Sequence, residues 1–114
     1  MSGHDERRRL PRRRTRLSAA AVCGPAHEVV ACTIRDQSET GARLLVQIGS
    51  SVPDAFQLIE LTEGVARRAQ VVWRDDAFVG VTLHDPRRLD DARTAEDRTL
   101  ADIRRRLLGR TGGR

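Results

Sequence analysis

The chain has 114 residues and a formal net charge of +5, and all 21 of its basic residues are arginine. That length suits one domain with a single modest core. No apolar run reaches the roughly 18 residues of a membrane-spanning helix, and the polar N-terminus lacks the apolar segment of a secretory signal, so the expected setting is the bacterial cytoplasm, with no membrane partner.

The charge is not spread evenly. Residues 1–16 hold seven arginines against Asp5 and Glu6, whereas the remaining 98 residues balance 14 arginines with 14 acids. The whole excess therefore sits on a basic N-terminal arm (1–16) with no apolar periodicity, a pattern expected of a flexible segment that meets a polyanion or a phosphate ligand. GC-rich codon bias suffices to explain the missing lysine. Arginine also offers what lysine cannot: a planar fork that grips phosphate or a guanine edge bidentately and stacks on a base.

Next, residues 17–93 read as a small β-barrel. "LSAAAVC" (17–23) is a weaker strand signal, with a helix as the alternative, because alanine has poor strand propensity. "EVVACTIRD" (28–36) alternates Val30, Cys32 and Ile34 against Val29, Ala31, Thr33 and Arg35, and "GARLLVQ" (41–47) repeats the period with Ala42, Leu44 and Val46. "FQLIEL" (56–61), "ARRAQVVWR" (66–74) and "FVGVTL" (78–83) follow, the last two joined across Asp75-Asp76-Ala77 as a tight hairpin. In that reading Trp73 alternates with Val71 and faces the core. Short antiparallel strands with brief turns predict a mainly β fold, a small six-stranded barrel.

The final element, 94–110, differs in kind. Leu100, Ile103 and Leu107 recur at i, i+3 and i+7, Thr94 and Asp97 are arranged like a capping box, and Gly109 is the expected stop. This is an amphipathic helix packed by one stripe on the barrel, with Arg104, Arg105, Arg106 and Arg110 on a solvated face. Cys23 and Cys32 lack metal-ligand or redox spacing and read as small buried residues, and no zinc site or other cofactor is expected. No nucleophile–base pair, carboxylate pair or phosphate loop is recognisable, and Glu39, Asp75 and Asp76 read as solvated turn residues, so an enzyme is not expected.

Two motifs remain. Arg8-x-x-x-Arg12 lies in the arm, and Asp36-x-Ser38-x-x-Gly41 spans the turn in "RDQSETGARL" (35–44). In this order and strand context they resemble the PilZ domain family, the bacterial receptors for cyclic di-GMP, over roughly residues 6–108. The resemblance implies a six-stranded antiparallel barrel and a ligand held by Arg8, Arg12, Asp36, Ser38 and Gly41. Arg9/Arg13 is the reserve register, and Arg7 before the motif resembles members that bind the ligand as an intercalated dimer. The chemistry agrees: two phosphates and two guanines suit guanidinium groups and a polar turn. Asp36 and Ser38 can meet a guanine edge, or equally their own turn backbone. Gly41 would permit a backbone angle or a close approach that a side chain blocks.

Two other classes stay open. A nucleic-acid-binding barrel would track phosphates with the arm and stack a base on Trp73, although aromatics are scarce and nucleic acid is not the expected partner. A PilZ-like adaptor that binds protein and no nucleotide is the other, against which the intact motifs stand. The chain carries no visible output module, so a receptor of this kind relays its signal to a downstream protein that the sequence does not identify.

Overall fold

The computed structural model describes residues 13–112, with side chains from Thr15 to Gly109. Its strands are β1 (Arg13–Cys23), β2 (Glu28–Gln37), β3 (Gly41–Val46), β4 (Ala55–Glu60), β5 (Val65–Asp75) and β6 (Phe78–Arg88), followed by a 3₁₀ turn (Leu89–Asp91) and helix α1 (Ala95–Gly112). They close into an antiparallel barrel in the order β1-β2-β3-β6-β5-β4. The mainly β barrel with one C-terminal helix is thus the fold observed, and α1 is not apolar enough to cross a membrane.

The weak first segment is a strand, not a helix, and it begins at Arg13 rather than after residue 16. Tertiary pairing overrides alanine's propensity, since β1 hydrogen-bonds to β2 on one side and β4 on the other. Its missing alternation has a cause. Ala19, Ala21 and Cys23 join the barrel interior, while Val22 faces outward under α1, so both faces are buried.

Two apolar clusters hold the molecule. Inside the barrel, Ile34, Leu44 and Leu58 are fully enclosed among Cys32, Ala42, Val46, Phe56, Val79, Val81 and Leu83. Outside, α1 lays Leu100 and Ile103 on Val22, Ile59, Ala66 and Leu89, with Leu107 half-buried. Burying an aliphatic side chain of this size stabilises by about 1.5–3 kcal/mol, so the predicted stripe accounts for the helix's docking. Cys23 and Cys32 are both buried free thiols.

Polar contacts fix the helix's position. Thr94 Oγ1 accepts the Asp97 N–H at 3.0 Å, the first half of the capping box. The second half is absent because the Asp97 carboxylate turns to Arg87, accepting from Nε at 3.2 Å and from Nη2 at 3.0 Å, while Gln57 Oε1 also accepts from Nη2 at 2.9 Å. Arg104 is not on a solvated face. It donates to the carbonyls of Leu61 (2.6 Å) and Thr62 (3.1 Å), stapling α1 to the β4–β5 turn, whose N–H groups at Thr62 and Glu63 are capped by the buried Glu60. Arg105 and Arg106 are exposed as expected. Gly109 does not stop the helix, which runs to Gly112: Gly109 does not take the left-handed conformation that a glycine cap needs.

Candidate functional site

The site is built on the outer face of β2, β3, β6 and β5, away from α1. Its geometry depends on two β-bulges. Between β2 and β3 the register passes from Ile34↔Leu44 to Asp36↔Arg43, two residues against one, so Arg35 is the extra residue. Counting by twos from Ile34 would send Asp36 into the barrel; the bulge instead sets it beside outward-facing Arg43. Between β5 and β6 the register passes from Val71↔Val81 to Trp73↔Gly80, with Val72 as the extra residue.

That second bulge corrects the reading of Trp73. It is not core-facing: the step at Val72 flips it outward, where its side chain lies against Gly80 and the residue is 42% exposed. The reason is local. Gly80 offers a backbone surface without a side chain, and a Cβ there would stand 2.1 Å from the indole. A row of cross-strand neighbours results, running Trp73, Gly80, Arg43, Asp36, Arg14 across β5, β6, β3, β2 and β1.

Within this row Asp36 is largely buried, its side chain 16% exposed, and its Oδ2 accepts from Arg43 Nε at 2.7 Å. The Arg43 guanidinium in turn sits over the Phe78 ring, 4.7 Å from its centroid. Ser38 closes the β2–β3 turn: its N–H donates to the Gly41 carbonyl at 2.9 Å, and its hydroxyl lies 3.5 Å from the same oxygen, a weak contact. Gly41 sits at a close approach and has no special backbone angle: a Cβ there would stand a tight 3.1 Å from the Val81 carbonyl of the neighbouring strand. Glu39 and Asp76 are exposed turn residues, whereas Asp75, also exposed, is not in the turn but ends β5 paired with Phe78; Asp76 takes a left-handed φ of 58° in the β5–β6 turn.

The first strand connects the two motifs. Arg13 pairs with Gln37 and Arg14 with Asp36, so the chain enters the barrel one residue from Ser38. Beside this entry the β1–β2 ladder is itself irregular, between Arg14 and Leu17, and the Thr15 hydroxyl donates to the Ile34 carbonyl at 2.8 Å. Arg7, Arg8, Arg9 and Arg12 lie outside the described residues, as does the side chain of Arg13. Asp36, Ser38 and Gly41 are brought together at one turn.

Sequence reasoning passed over Arg43 and turned Trp73 the wrong way. For Arg43 a signal existed, because alternation with Ala42 and Leu44 puts it on the outer face. For Trp73 none did, since a bulge leaves no mark in a period-two count.

No curated protein matches the chain significantly. Residues 6–98, which take in the arm's arginines, all six strands and the start of α1, match the sequence model of the PilZ domain, and the chain belongs to the PilZ domain family.

Proposed function

We propose that this chain is a cyclic di-GMP receptor that closes its basic arm over the Asp36–Gly41 turn and passes the signal to a partner protein. The observation that carries this reading is the register Arg13↔Gln37, which sets the residue following Arg12 in sequence opposite the neighbour of Ser38. Arg8 and Arg12 supply guanidinium groups for the phosphates and guanine edges, Asp36 and Ser38 the polar turn, and Gly41 the close strand approach. Closure of the arm on the ligand would change the surface a partner meets, and that change is the signal passed on.

The decisive experiment is calorimetric titration of the full chain with cyclic di-GMP, beside GTP, cyclic di-AMP and a short DNA. Selective binding of cyclic di-GMP that weakens with salt is expected. A second reading has one observation in its favour: Trp73 is exposed and turns outward on the same face as Arg43, as a base-stacking residue of a nucleic-acid-binding barrel would be. Comparable binding of DNA without cyclic dinucleotide would select it, and binding of neither would leave a protein adaptor that uses no nucleotide.

A further inference from the structure

Arg43 belongs to neither motif, yet the fold fixes it beside Asp36. Its Nε–H is taken by Asp36 Oδ2 at 2.7 Å, and its plane is set by the Phe78 ring at 4.7 Å. Its side chain is 37% exposed, and its Nη1 and Nη2 groups have no hydrogen-bond partner among the described residues. A guanidinium carries five donors in a rigid fork, so two fixed points on one edge and one face leave the Nη1/Nη2 end pre-aimed and, among the described residues, unbonded. On the neighbouring outward position of β6, Gly80, it is the Trp73 indole that covers the backbone.

We propose that Arg43 contacts a phosphate of the ligand directly and forms the preorganised, barrel-borne part of the phosphate site. The inference rests on the cyclic di-GMP reading above. Its physical basis is the cost of ordering. A guanidinium that has to be ordered on binding gives up freedom when it engages, whereas Arg43 is already held, so each bond it makes returns more affinity. A bidentate contact from Nη1 and Nη2 to phosphate oxygens leaves the bond to Asp36 intact, so Asp36 remains oriented for a guanine edge through its other oxygen.

The competing account is that Arg43 only positions Asp36, and a cycle of variants separates the two. Cyclic di-GMP is titrated into the full chain as wild type, Arg43→Gln, Asp36→Asn and the double variant, up to millimolar ligand, with thermal melts recording that each is folded. Direct contact predicts that Arg43→Gln weakens binding at least tenfold in both backgrounds, because the phosphate is deprived of its partner whether or not Asp36 is charged. Weakening below about threefold in either background, and above all an effect that vanishes once Asp36 is Asn, would overturn the proposal. If Arg43→Gln does not fold, Arg43→Lys takes its place: it keeps the charge but not the fork, and binding within threefold of wild type would count against a bidentate contact. A flat wild-type titration is a different failure, since it would refute cyclic di-GMP binding itself.

Discussion

Replacing Gly80 by alanine should displace the only tryptophan of the protein. An ideal Cβ at Gly80 would stand 2.1 Å from both Cε2 and Nε1 of Trp73 and 2.7 Å from Cδ1, distances that no packing adjustment of a few tenths of an ångström can relieve. Because Trp73 is 42% exposed, the ring has an escape route into solvent, and the strand pairing need not break. Displacement uncovers one face of an indole, on the order of 50 Å² of apolar surface, which at roughly 25 cal/mol per Å² comes to about 1.2 kcal/mol. A Gly→Ala change inside a strand otherwise recovers about 0.5–1 kcal/mol of backbone entropy, so the net destabilisation should be small, about 0.5 kcal/mol, with any strain adding to it. Tryptophan fluorescence reads the displacement, as a red shift and greater quenching by iodide, and urea unfolding reads the stability. The same Gly80→Ala change in a Trp73→Ala background has nothing to collide with and should be neutral or stabilising. Unchanged emission, or an equal drop in stability in both backgrounds, would refute the argument that Gly80 is there to seat the indole.

The arm's chemistry is tested by replacing Arg8 and Arg12 together with lysine, which keeps the charge and should still remove most of the cyclic di-GMP affinity; wild-type binding by that variant would mean only diffuse charge is read. Single Arg8→Ala and Arg12→Ala changes should each cost more than ~1.5 kcal/mol of binding, and Arg110→Ala little, an order that comparable effects at all three positions would contradict. Asp97→Ala removes the buried carboxylate partner of Arg87 and leaves that guanidinium with Gln57 and the exposed Asp85, so it should destabilise the fold by about 1–3 kcal/mol, with hydrogen exchange accelerating first in α1; a change under about 0.5 kcal/mol, marking a surface-type pair, would oppose this. Burial, and after it the neighbouring Cys23, pushes the Cys32 thiol from an ordinary 9.0 up to about 11. Because the folded value is the higher one, the stability it contributes is complete below pH 9 and is lost as pH rises through 11, and rapid alkylation of Cys32 in the folded protein at about pH 8.5 would contradict the burial.

The barrel and its helix are written into the residues segment by segment. Period-two runs such as Val30-Cys32-Ile34 and Ala42-Leu44-Val46 commit one face to the interior, and Leu100, Ile103 and Leu107 commit one stripe of α1, because burial of apolar surface dominates those choices wherever one face is wet. Asp36, Ser38 and Gly41 are likewise legible as one polar turn, since their spacing is local. Where the alternation breaks is settled only in three dimensions. The extra residues Arg35 and Val72 turn Asp36 and Trp73 outward, and whether a strand takes a bulge depends on its partner's register and on a vacancy such as Gly80. The same holds for Arg104, one arginine among several on the helix, which became a staple because the carbonyls of Leu61 and Thr62 lie within its reach. Strand and helix periods are properties of a segment, whereas a bulge, a staple and the pairing of Arg43 with Asp36 are properties of two segments meeting, and a single segment carries no record of them.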